Sequence, residues 1–162
     1  MNTIWRLAPI VLVIVTTIVA PASAQQAPAS HRQVLSANPF GMLFGLFNAE
    51  IERSVSRSAT AGVGGSVYSN ESDDYVNADA FYRYYPSGRP FDGWALGIKA
   101  GVTNVDSELL FGAGFDINWS RLMGKDEKVY MGWGFGLKRL VGADEYNQFI
   151  PTIRIVNIGI AF

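Results

Sequence analysis

The sequence predicts an all-β fold, a closed antiparallel up-and-down transmembrane β-barrel of eight strands, and three observations predict it. The chain carries 17 Gly, 10 Phe, 7 Tyr and 4 Trp with few runs of helix-favouring Ala, Leu, Glu and Lys, a composition that suits strands. From Leu43 onward it divides into segments of transmembrane-strand length that alternate apolar with small or polar residues. Its last seven residues, VNIGIAF, place an apolar aromatic residue at the end of a strand, where a soluble protein needs none.

Residues 1–24 read as a cleavable signal peptide. Arg6 supplies the charged region, Ile10 to Ala20 the apolar region, and Ala22-Ser23-Ala24 the small-residue cleavage site. The competing reading, a signal anchor, is opposed by the shortness of the apolar run and by Pro21. Residues 25–31 form a short polar leader, and residues 32–162 are assigned to one barrel domain. The formal net charge of -1 gives no argument for nucleic acid, and the lack of cysteine means that no disulfide holds the domain.

The strands are predicted, in order, at Leu43 to Arg53, Ala59 to Ser69, Tyr75 to Tyr85, Trp94 to Thr103, Leu109 to Arg121, Val129 to Arg139 and Phe149 to Phe162. The turns SVSRS, NESDD, PSGRPFDG, NVDS, MGKDEK and VGADEYN separate them and carry most of the charge. Seven is odd, and barrels with both termini on one side need an even count. The candidate for the eighth strand is Arg32 to Asn38, turned back by Asn38-Pro39-Phe40-Gly41; the alternative leaves that stretch in the lumen or along the rim.

Sorted by parity, the strands give one apolar row, exemplified by Phe47, Val67, Tyr82, Leu96, Ile98, Phe111, Phe115, Trp133 and Phe135. The opposite row is dominated by Gly, Ser and Asn with a few charges. A water-facing row would be richer in charge. A crowded lumen suits small residues, so the apolar row is predicted to face lipid. Successive strands reverse direction, so Tyr84, Trp94, Trp119 and Phe162 are predicted at one rim, as an aromatic girdle.

The ending VNIGIAF, with Val156, Ile158, Ile160 and Phe162 on one face, resembles the carboxy-terminal signal by which outer-membrane barrels are recognised during assembly. Asn157 stands where that pattern often has Gly, and Gly159 lies two residues later. With NPFGMLFGLFNAEIERSVS and GVGGSVY, the chain resembles the outer-membrane β-barrel families that include small eight-stranded barrels of the OmpX and OmpW kind. The resemblance implies location in the outer membrane of a Gram-negative cell and, as partners, its lipid and lipopolysaccharide, with the barrel-assembly machinery during biogenesis. It implies no activity, and nothing in the sequence demands an oligomer.

Counting back from Phe162 at the periplasmic side puts SVSRS, PSGRPFDG and MGKDEK in the periplasm and NPFG, NESDD, NVDS and VGADEYN outside. The outer loops are acidic, through Glu71, Asp73, Asp74, Asp106, Glu108, Asp144 and Glu145. Solvation explains them, and divalent cations bridging lipopolysaccharide are the sharper reading.

Inside, Glu50, Glu52, Asp79, Arg83, Lys99, Asp116 and Lys138 form a near-balanced set that reads as an ion-pair network plugging the lumen. The one histidine, His31, lies beside the leader, so a Ser or Asp nucleophile on the later strands lacks its usual base. GVGGS sits within a strand with no helix after it and is no phosphate loop. No metal or cofactor site is expected, and the chain is read as non-enzymatic, with a structural or envelope-interaction role. Two alternatives stay open: a conduit for small hydrophobic molecules lined by Phe44, Leu46, Phe81 and Tyr68, and a soluble periplasmic lipid-binding barrel.

Overall fold

The computed structural model describes residues 31–69, 74–105, 108–142 and 149–162. The predicted signal peptide, most of the predicted leader and the acidic residues Glu71, Asp73, Asp106, Asp144 and Glu145 lie outside the described residues, as do the side chains of Phe44 and Asp74.

Eight antiparallel strands close into an up-and-down barrel: β1 (Gln33–Ala37), β2 (Leu46–Ser54), β3 (Ala59–Ser69), β4 (Asp74–Tyr84), β5 (Gly93–Val105), β6 (Glu108–Met123), β7 (Val129–Val141) and β8 (Phe149–Ala161). The stretch beginning at Arg32 therefore does supply the eighth strand. It closes the ring by pairing Gln33–Ala37 with β2 and Val34–Ala37 with β8. Both described ends meet at one rim, where the Arg32 and Gln33 amides donate to the Phe162 carbonyl at 3.1 and 3.0 Å.

The alternation becomes an inverted polarity. Leu96, Ile98, Phe111, Phe115, Trp133 and Phe135 stand on the outer face, with Ile98 66 % exposed, while Glu52, Arg83 and Lys138 are buried inside. Inward glycines make room for these larger neighbours. A Cβ at Gly62 would come 2.6 Å from Cζ of Phe81, and one at Gly64 2.8 Å from Cγ of Glu50. An eight-stranded barrel has just enough interior for side chains to fill, and small residues opposite large ones satisfy that limit.

Four expectations need correction. Leu43 does not begin β2: Gly41–Phe44 form a single 3-10 turn, capped by Gly45 at φ 69°, and the strand starts at Leu46. The Asn38 side chain accepts the Gly41 amide at 2.8 Å and fixes this turn. Arg121 does not end its strand, because β6 runs on to Met123 and pairs Arg121–Met123 with β7. Phe149 to Phe162 does not keep one parity. Gly132 pairs with Asn157 but Gly134 with Arg154, so Ile155 and Val156 together oppose Trp133 in a β-bulge. Phe149 and Ile153 face out before the bulge, Ile158 and Ile160 after it, and Val156 is half-buried at the break.

The fourth correction concerns PSGRPFDG, expected to be only a turn. Phe91 folds back and is fully buried at the mouth of the barrel, packed with Val34, Tyr130, Ala161 and Leu122. Its ring meets Tyr85 and Tyr130 edge-on, with centroids 6.5 and 6.4 Å away. It holds φ 65°, a left-handed conformation that costs an L-residue about 1–2 kcal/mol. Burying an aromatic side chain returns roughly 1.5–3 kcal/mol. The terminal mouth is therefore stoppered by an aromatic cluster.

Candidate functional site: the charged lumen and its cavity

Above the aromatic stopper the inward row brings together all seven charged residues singled out from the sequence, in two groups. In the larger, Arg83 Nη1 reaches Glu50 Oε2 at 3.0 Å and Glu52 Oε2 at 2.8 Å, and Nη2 lies 3.7 Å from Asp116. Glu52 also accepts hydrogen bonds from the Thr60 hydroxyl and, at 3.2 Å, from the Tyr85 hydroxyl. Lys99 Nζ donates to Thr152 Oγ1 at 2.5 Å and lies 3.6 Å from Asp116. The Phe81 ring lies beneath the Arg83 guanidinium, 3.9 Å from centroid to Cζ.

The second group surrounds Lys138. Its ammonium donates to Asp79 at 2.6 Å, Asn77 at 2.8 Å and Thr103 at 3.0 Å, using all three of its protons. The Asn77 amide nitrogen in turn donates to Asp79 at 2.8 Å. Every member sits on an inward position of β4, β5 or β7.

One charge was missed. Arg154 faces inward, its Nη2 pairs with Glu50 at 3.1 Å and donates to the Tyr130 hydroxyl at 2.7 Å, and Nε and Nη1 have no hydrogen-bond partner among the described residues. Counting parity back from Phe162 puts an even-numbered residue on the outer, apolar row. The signal that could have found it is the switch of the apolar residues from Phe149, Ile153 and Ile155 to Ile158 and Ile160. With Arg154 the described residues place four cations inside, Arg83, Lys99, Lys138 and Arg154, against four carboxylates, Glu50, Glu52, Asp79 and Asp116.

Burial, reinforced by the charge of Glu52, pushes the Tyr85 phenol well above its ordinary value, so it stays protonated and able to donate. His31 lies outside the lumen, with Nε2 2.6 Å from the Asp126 carbonyl. Among the described residues no group of three or more His, Asp or Glu side chains is placed to hold a metal ion.

Between the ion pairs and the rim opposite the chain ends lies a cavity of about 700 Å³. Its floor is charged, through Glu50, Arg83, Lys99, Asp116 and Arg154, with the Phe81 ring among them, and its upper wall includes Leu46, Tyr68 and Ile150. On the outer face Tyr84, Trp94 and Phe162 are exposed and Trp119 is half-buried. Trp133 joins them, its ring 5.2 Å from that of Trp94 and edge-on to it. Comparison with protein-family models, with curated proteins and with solved structures gives no match.

Proposed function

We propose that this chain is a non-enzymatic integral outer-membrane β-barrel of a Gram-negative cell, exported with residues 1–24 as its signal and serving a structural or envelope-interaction role. The observation that carries the reading is the inverted polarity of a closed wall. Large apolar side chains crowd the outside, while paired charges and buried amides fill the inside. Water would favour the opposite arrangement. The strand dimensions agree: the 11 residues of β4, tilted about 40° at ~3.3 Å per residue, rise roughly 28 Å, close to the hydrocarbon thickness of a bilayer.

In this reading Tyr84, Trp94, Trp119 and Phe162 form the interfacial girdle at the periplasmic side. Val156, Ile158, Ile160 and Phe162 present the assembly signal, and lipid and lipopolysaccharide surround the wall. An axial conduit for small hydrophobic molecules is disfavoured, because Arg83 with its carboxylates and the Phe91 cluster lie across the axis. A soluble lipid-binding barrel would need its apolar row inside. The test is gel mobility of unheated and boiled protein extracted from outer membranes. A heat-dependent shift confined to that fraction is expected; recovery of the mature protein from the periplasm without detergent would contradict the proposal.

A further inference from the structure

The rim where the chain ends meet is charged unevenly. On the β6–β7 side Arg121, Lys125 and Lys128 are interspersed with Asp126 and Glu127, and on the β4–β5 hairpin Arg89 pairs with Asp92 at 3.0 Å. The sector formed by β1, β2 and the β2–β3 hairpin carries Arg32, Arg53 and Arg57, and its carboxylates, Glu50 and Glu52, both point into the lumen. Among the described residues no ion pair reaches any of these three arginines. The backbone brings two of them side by side: Gln33 pairs with Arg53, and the Ser54 amide donates to the Arg32 carbonyl at 2.8 Å. Arg57 stands exposed in the turn that the Val55 and Ser56 amides close on the Ala59 carbonyl.

Arg53 sets this sector apart. It is half-buried on the outer row, two places beyond Ile51, opposite Gln33 and Ala61, and Ala61 in turn opposes Tyr82. It therefore belongs to the strand wall beside the rim tyrosines and not to a turn. A guanidinium at a lipid boundary is costly unless an anion meets it, and this chain supplies none. Its planar fork of donors matches phosphate oxygens two at a time.

We propose that Arg32, Arg53 and Arg57 form a headgroup site for an anionic glycerophospholipid, such as phosphatidylglycerol, in the leaflet at this rim, with its acyl chains lying on the outer face of β2 to β4. This rests on the membrane reading above. Charge complementarity selects the anionic headgroup, and two features select a lipid over a soluble anion. Leu35 and Val55, 48 % and 49 % exposed, flank the arginines with apolar surface. The outer row next to Arg53 carries Ala61, Ala78 and Ala80 where β5 to β7 carry Leu96, Ile98, Phe115 and Phe135, so the wall is shallow there and a chain can lie against it.

The test uses the mature protein in phosphatidylcholine vesicles doped with phosphatidylglycerol or phosphatidylcholine that bears an acyl diazirine close to the ester. Insertion is read separately by vesicle flotation and heat-dependent mobility. Crosslinks of the phosphatidylglycerol probe that concentrate on Leu35, Val55 and Ala61 and saturate with unlabelled phosphatidylglycerol are expected, with the phosphatidylcholine probe spread round the wall. Arg53→Gln and Arg57→Gln should each raise the half-saturating mole fraction about fivefold, Arg53→Lys less than Arg53→Gln, and the pair Lys125→Gln with Lys128→Gln should leave it unchanged. Arg57→Gln lies in an exposed turn and keeps the test open should Arg53→Gln fail to insert. Identical profiles for the two probes, equal loss in the lysine pair, or displacement of the phosphatidylglycerol probe by glycerol phosphate in the buffer would overturn the site and leave the membrane reading standing. A parent protein that does not insert overturns both.

Discussion

Replacing Arg83 by Met removes a cation that contacts three carboxylates while keeping a chain long enough to pack on Phe81. Glu50 keeps Arg154 and Asp116 keeps Lys99, but Glu52, 1 % exposed, loses its one ion-pair partner among the described residues and retains hydrogen bonds from Thr60 and Tyr85. Breaking a buried pair by removing one partner costs about 3–5 kcal/mol, chiefly because the stranded charge stays desolvated. With a urea slope of ~2 kcal/mol per molar for a small protein, that is a fall of about 2 M in the unfolding midpoint. The same argument gives the sign of a second change. Adding Glu52→Gln to Arg83→Met removes the stranded charge and should recover roughly 1–3 kcal/mol, although Glu52→Gln alone destabilises. The assay is reversible urea unfolding in vesicles or detergent micelles, followed by tryptophan fluorescence. A single variant within ~1 kcal/mol of the parent, or a double variant no more stable than Arg83→Met, would refute the view that these charges hold one another inside the wall.

Three further outcomes follow from the same structure. Phe91→Ala should destabilise by about 2–4 kcal/mol through loss of its buried ring, and Phe91→Gly by ~1 kcal/mol less, because glycine accepts φ 65° without strain; urea midpoints for which Gly is worse than Ala would contradict this. Gly62→Ala should cost about 1–3 kcal/mol by pressing on the Ile51 carbonyl and the Phe81 ring, and Phe81→Leu in the same chain should recover only the share due to the ring in the same unfolding assay. Ile98→Lys should cost about 2–4 kcal/mol in vesicles and less than ~0.5 kcal/mol if that face meets water, so stability compared between bilayer and aqueous buffer reads the environment of the outer row directly.

Most of the wall was legible because the side-chain period of a strand is two and the interior is crowded. Small residues and glycines recur at Gly62, Gly64, Gly97, Gly112 and Gly134 opposite an apolar row, so the faces and approximate bounds of β3 to β7 could be read without contacts. What was hidden depends on geometry that parity does not carry. A single extra residue at Ile155–Val156 reverses the faces of β8 and turns Arg154 from an outward residue into a partner of Glu50. The run from Met42 to Phe47 looks like the start of a strand, yet Asn38 and Gly45 close a 3-10 turn there through a side-chain hydrogen bond and a left-handed cap. Phe91 sits in a Pro- and Gly-rich turn whose composition predicts exposure. Only the open mouth beneath it, lined by Val34 and Tyr130, makes a strained backbone favourable. The seven charges were found on the right face, but their division into an Arg83 group and a Lys138 group follows from cross-strand register.

The central claim is that the outer row faces lipid, and the chain's own tryptophans report on it. Trp5 lies in the proposed signal, and Trp94, Trp119 and Trp133 all belong to the outer row, so in protein that begins at Gln25 the fluorescence comes from that row alone. The measurement is quenching of this fluorescence in vesicles by phospholipids brominated at shallow or deep acyl positions, beside quenching by aqueous iodide. Strong quenching by brominated lipid, greatest for shallow bromines as a girdle near the interface requires, with little effect of iodide, is predicted. Efficient iodide quenching with no response to brominated lipid would contradict the account.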